Sequence, residues 1–415
     1  ITLGAGYTTA TTCDDAVTLN TQTTLDPSSG QFYVATIALS DISQNATTGC
    51  GNKTMELALK INGQMTYASW DIPAANADST FIFSSITSSV SDYYAMSALT
   101  PFKADGLTNI AITKIGSFNL TYDWIARDTS RAWRSISSSS DGTKLAAVVY
   151  GGYIYTSSDS GVTWTQRAFS LPWRSITSSS DGTKLAAAPY SSNNIYTSSD
   201  SGVTWTQQTA SGGRDWTSIT SSADGSKIAA ISWGGSSIYT SSDFGVTWTA
   251  RTVSGFSQGR SITSSSDGTK LAVVGQSSKI YTSIDSGVTW ASRDSSRAWL
   301  SITSSSDGSR LAAGVDSGYI YTSSDSGVTW TQRATSGKWT AITSSSDGIK
   351  LAAAVSPGYI YNSSDSGVTW TQSTTIGYAY WNSVASSSDG SKLLAAGDST
   401  AIYIGSAGSK TRSSN

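Results

Sequence analysis

The sequence predicts an all-β chain: a seven-bladed β-propeller over residues 116–415, closed by a strand from its N-terminal side and preceded by an antiparallel β-sandwich over residues 1–115. Three observations carry this. An Asp-Gly turn recurs with aspartates at Asp141, Asp181, Asp224, Asp267, Asp307, Asp347 and Asp389, at intervals of 40, 43, 43, 40, 40 and 42 residues, a period of blade size. Each period divides into four short β-favouring runs separated by turn residues. Residues 1–115 share none of this period.

The fifth period shows the reading of the elements. SITSSS, the turn DGSR, LAAGV, the loop DSG, YIYTSS, the turn DSG and VTWTQR follow one another from Ser301 to Arg333. No segment keeps apolar residues at helical spacing, and Gly or Asp-Gly turns interrupt every period. A four-stranded sheet repeated radially is a propeller blade.

The second turn carries S-x-D-x-G-x-x-W, as in SSDSGVTW with Asp159, Gly161 and Trp164. It recurs with Asp200, Asp243, Asp285, Asp325 and Asp365. This resembles the Asp-box, or BNR, repeat of sialidase-like propellers, over residues 119–405. The resemblance implies that the box sits between the third and fourth strands, away from the ligand face. Its chemistry is structural: the carboxylate accepts turn N–H groups, Gly supplies a conformation other residues resist, and Trp fills space between blades.

The last period loses its box, with Ala407 in the aspartate position and no following Trp, so it lacks a fourth strand. Upstream of the first period, Trp124 lies 40 residues before Trp164 in a segment that matches the end of the fourth period. Residues 122–127 are therefore expected beside residues 402–405, removing an exposed sheet edge.

In the N-terminal part, alternation in QFYVATIAL, MELALKING and TNIAITKI indicates strands. FIFSSI and YYAMSAL fit either strands or one short helix. Cys13 and Cys50, the chain's two cysteines, are expected to form a disulfide in an oxidising compartment. Sequons at Asn45, Asn52, Asn119 and Asn362, and an opening at Ile1 with no initiator Met, point the same way, to a secreted or surface-displayed glycoprotein. The uncharged opening ITLGAGYTTATT suits a strand that pairs within its own domain or with a second copy of the chain, so homo-oligomerisation is expected through this domain.

Composition narrows the chemistry. A net charge of −2, with 26 Lys+Arg spread among 28 Asp+Glu, argues against a nucleic-acid footprint. No apolar stretch reaches the length of a membrane span. The sequence has no His, and its only Glu is Glu56, which excludes Ser-His-Asp chemistry and makes transition metals poor candidates. No cofactor is implied. The resemblance implies an arginine triad and a Tyr-Glu pair for sialidase activity, and neither pattern is visible. A glycosidase using two aspartates would draw on Asp215, Asp316 and Asp398.

The expected function is non-catalytic recognition of a glycan or surface protein, with a structural subunit of a surface layer or filament as the alternative. The loops on one face of the propeller carry aromatic and cationic residues: Trp173 and Arg174, Arg214 and Trp216, Arg260, Tyr190 and Trp233, with Trp133 and Arg134 and Tyr380 and Trp381 in the same positions. Aromatic faces beside cations stack sugars or grip acidic groups. Regular recurrence of the leading Trp argues that it packs between blades, which makes the off-pattern Tyr190 and Trp233 the sharper candidates.

Overall fold

The computed structural model describes residues 122–407 and, before them, the backbone of seven strands: β1 (Thr18–Leu25), β2 (Phe32–Ser40), β3 (Thr54–Ile61), β4 (Gln64–Asp71), β5 (Thr80–Phe83), β6 (Asp92–Ala98) and β7 (Leu107–Ser117). Two compact units result, Ile1–Phe118 and Asn119–Asn415. In the first, an antiparallel sheet has the order β1-β2-β7-β6-β5, and β3 pairs with β4 as a separate ribbon. The alternating segments are strands, and the two ambiguous segments contribute β5 and β6. Residues 1–12, Cys13, Cys50, Asn45, Asn52 and Asn119 lie outside the described residues.

The second unit is a β-propeller whose seven repeats are carried by six sheets. Its first strands are β8 (Tyr122–Arg131), β9 (Trp133–Ser138), β10 (Leu145–Ser157), β11 (Thr165–Ser178), β12 (Leu185–Pro189), β13 (Ile195–Ser198) and β14 (Thr206–Gln208). Five sheets have four strands, and the first has six, in the order β14-β13-β12-β11-β10-β9. The expectation of seven separate blades is thereby corrected. β10 runs through both the second and third strands of the first repeat, with register shifts at Tyr150/Gly152 and Gly152/Ile154. β11 continues from the last strand of that repeat into the first strand of the next. Tyr150 pairs with Pro172 and Gly152 with Leu171, which joins the two repeats.

Closure follows the sequence expectation. β8 lies antiparallel to Thr400–Ala407, with Trp124 opposite Gly405 and Ala126 opposite Tyr403. A Cβ on Gly405 would meet the Trp124 ring at 2.9 Å, so the missing side chain makes room for the indole. A closed circuit of backbone hydrogen bonds ties the repeats: the N–H groups of Ser140, Ser180, Ala223, Ser266, Ser306, Ser346 and Ser388 each donate to the equivalent carbonyl of the next repeat at 2.7–2.8 Å, and Ser388 donates back to Ser140.

Packing explains the repeated residues. The second strand of each repeat is an unbroken apolar run, as in Leu311–Val315, and is buried along its whole length there. Between the fourth and fifth repeats, Trp299 packs with Val274, Ile280, Ile302, Leu311 and Tyr321. The box turns are satisfied locally. Around Asp243, Ser241 Oγ and Thr247 N donate to Oδ1 at 2.8 Å, and Thr247 Oγ1 donates to Oδ2 at 2.6 Å. Trp248 Nε1 donates to Gly245 O, and Gly245 holds φ at +87°, the left-handed region that only Gly enters freely.

Candidate functional site

The loop face of the propeller is built by a β-bulge repeated in every first strand. In the second repeat Trp173 lies opposite Pro189 and Ser175 opposite Ala188, leaving Arg174 as the extra residue. The same shift isolates Arg134, Thr217, Arg260, Leu300, Thr340 and Asn382. A bulge turns one side chain away from the alternation of its strand. It therefore separates the leading Trp, which enters the core, from the residue after it.

The Trp members are packing residues. Trp173 and Trp216 are fully buried, Trp173 edge-on to Tyr196 at 5.5 Å and Trp216 edge-on to Tyr239 at 5.2 Å. Neither offers a ring to a ligand, which corrects their selection as candidate ligand-binding residues. Arg214 belongs with them: its guanidinium lies 4.4 Å over the Tyr239 ring and 5.9 Å from that of Trp216. Arg131 and Arg297 occupy the same place over Tyr155 and Tyr321, each paired with its own Asp128 or Asp294. In the fourth repeat Gly259 stands where Trp is expected, and Phe256 fills the space, 2% exposed and edge-on to Tyr281.

The bulged positions differ in what they do. Thr217, Thr340 and Asn382 donate to the carbonyl at the head of the next repeat, Gly259, Trp381 and Trp133 respectively, at 2.8–2.9 Å. Three of the remaining four are arginines, and they interact with one another. Arg174, partly buried, is held down to about 10 by desolvation first and then by repulsion from Arg134 and Arg260. At neutral pH it is charged. Arg134 has Asp398 at 3.7 Å and Asn382 Oδ1 at 3.3 Å. Arg260 bonds Gln276 Oε1 and feels Asp316, while burial lowers its pKa. Among the described residues no carboxylate pairs with Arg174.

Aromatic side chains from the second-to-third connections border this cluster. Trp233, partly exposed, lies under the Arg260 guanidinium at 4.5 Å, and Tyr150, 46% exposed, lies 5.7 Å from that of Arg134. Tyr190 is within electrostatic reach of both Arg174 and Arg260. Of the sequence candidates, Arg174, Arg260, Tyr190 and Trp233 come together. Arg134, named with them from the sequence, joins the group, and Tyr150 completes it; its signal was its place after the second strand of the first repeat, where Tyr190 stands in the second.

The aspartates considered for hydrolysis are engaged. Asp215 Oδ1 accepts Ser192 N at 2.9 Å, Asp398 faces Arg134, and Asp316 accepts Ser317 Oγ at 3.1 Å. No group of three or more His, Cys, Asp or Glu side chains suited to a metal occurs among the described residues. None of their helices is long and apolar enough to cross a membrane. Asn362 is 4% exposed and its amide donates to Ser373 Oγ at 2.6 Å, so a glycan has no room there in the folded propeller.

Residues 238–250 match the family model for the BNR-Asp box repeat. No curated protein matches the chain. Among solved structures, YCF48 bound to a D1 peptide is similar at 18% identity and a TM-score of 0.56, over 71% of this chain and 99% of that one. YCF48 from Cyanidioschyzon merolae is similar at 16% identity and 0.54, over 68% and 98%. At these identities the likeness concerns the fold. The chain is a β-propeller protein carrying the BNR-Asp box repeat.

Proposed function

We propose that this protein is a non-catalytic recognition module that grips a carboxylate of a partner protein against Arg174. The observation that carries the reading is a partly buried guanidinium repelled by two like charges, with no carboxylate partner among the described residues. Leaving a charge in that state costs stability, and an arriving carboxylate offsets the cost through paired, charge-assisted hydrogen bonds. Tyr150, Tyr190 and Trp233 supply rigid apolar surface around the anion. A peptide partner is favoured by the likeness to the solved structure of YCF48 bound to a D1 peptide.

The proposal extends to the whole chain. It assigns the chain no catalysis, a reading supported by the partners of Asp215, Asp316 and Asp398 and by a propeller sequence without Glu or His. We further propose that residues 1–115 are a β-sandwich domain that anchors or assembles the protein outside the cell. Isothermal titration of the full chain with an Asp/Glu-rich decapeptide tests the central part. The expected result is binding that weakens at least about tenfold in Arg174→Gln, the scale of one charge-assisted bidentate contact. Equal binding by the two proteins overturns the reading.

A further inference from the structure

We infer that Tyr359, Tyr378 and Tyr380 form a second binding site, a stacking platform for a neutral saccharide. The connection from the sixth repeat to the seventh, TQSTTIGYAYW, is two residues longer than the TQRATSGKW before it. The packing duties of such a connection are already filled: Trp381 is 1% exposed and edge-on to Tyr403 at 5.7 Å, and Ile376, also 1% exposed, joins it in the core. Tyr378 and Tyr380 are left 61% and 59% exposed. Where the fourth connection adds an aromatic, Phe256, the ring is buried; here the rings face solvent.

The rings are held in place. Gly358 and Ala379 exchange both backbone hydrogen bonds, at 2.9 and 3.0 Å, so the two loops bearing Tyr359 and Tyr378 are locked side by side. Tyr359 and Tyr378 meet edge to face, with centroids 5.5 Å apart and planes at 79°. Tyr380 opens the next strand opposite Asp398. Two-torsion side chains fixed in this way lose little entropy on binding.

The ligand class follows from the surroundings. Residues 373–381 carry no charge, and the one carboxylate opposite them, Asp398 across from Tyr380, is paired with Arg134, so the charge beside the rings is internally matched. The phenols place hydroxyls at the ring tips, giving flat apolar faces with a hydrogen-bonding rim. That matches the C–H face and hydroxyl edge of a sugar ring. The connection is not an open strand edge of the kind that captures an extended peptide.

Native electrophoresis of the full chain through gels containing mixed-linkage β-glucan, xylan or galactomannan tests the inference. Retardation by at least one polysaccharide is expected, with at least about a tenfold loss of apparent affinity in Tyr378→Ala/Tyr380→Ala, since each aromatic contact contributes a few-fold or more. Both side chains are exposed, and an unchanged melting temperature would show that the variant is folded. Overturning results are passage of the wild type unretarded through all three gels, equal retardation of the variant, or binding of a proline-rich peptide that the variant loses while no polysaccharide binds. The probes are uncharged, so the outcome is separate from that of the acidic peptide at Arg174.

Discussion

At the scale of single residues, the repeat assigns arginines to two different jobs that composition alone does not separate. Arg214 lies over the Tyr239 ring beside a buried Trp, and its contribution is to packing. Arg214→Gln is expected to lower stability by about 1 kcal/mol, the scale of a partly desolvated cation–π contact, while decapeptide titration stays at the wild-type value. Loss of binding with unchanged stability would place Arg214 in the site instead. The box aspartates are structural in the same sense. Asp243 accepts donors from Ser241 and Thr247, and Asp243→Ala is expected to destabilise by about 1 kcal/mol in urea titrations, at the low end for hydrogen bonds to a charge because the carboxylate is exposed. The sequence shows this role plainly, since a carboxylate, a glycine and a tryptophan at fixed spacing have one common local use. It does not show that the residue after each leading Trp is re-aimed, because a bulge is set by the register of two strands and not by either one.

At the scale of elements, closure of the ring was legible and the division into sheets was not. A box lost at Ala407 and a match at Trp124 are one-dimensional signals of one missing strand, and β8 supplies it. The fusion of the first two repeats depends on pairing Tyr150 with Pro172 and Gly152 with Leu171, contacts between segments that each read as ordinary connections. The closing pair is tightly fitted, with room at position 405 for hydrogen alone beside the Trp124 ring. Gly405→Val is therefore expected to cost 1–3 kcal/mol, roughly the range for overpacking, and to expose β8 to limited proteolysis before the remaining sheets are cut. Wild-type resistance of that variant to both urea and protease would mean that the seam bears little of the stability.

At the scale of the whole molecule, the propeller is a ring of repeated turns on one face and a lopsided site on the other. The turn face sets the response to acid. Asp141, Asp159, Asp181, Asp200, Asp224, Asp285 and Asp307 are all held down to about 2, by hydroxyl hydrogen bonds first and backbone N–H groups next. Because the folded values lie below that of an unfolded Asp, near roughly 4, their contribution is complete above that pH and is lost as pH falls towards about 2. Melting temperature should be flat from pH 7 to 5 and fall steeply between roughly 4 and 2; a fall centred near pH 6 would contradict this origin. The loop face bears the functional claim. If Arg174 gains its partner from a bound carboxylate, as proposed, its charge should cost stability in the free protein and contribute to it in the complex. Thermal unfolding of wild type and Arg174→Gln, each with and without the acidic decapeptide, measures both effects at once. The account predicts that the substitution raises the melting temperature of the free protein and that the peptide raises that of the wild type alone. Destabilisation of the free protein by Arg174→Gln, together with an equal peptide shift in both, would contradict it.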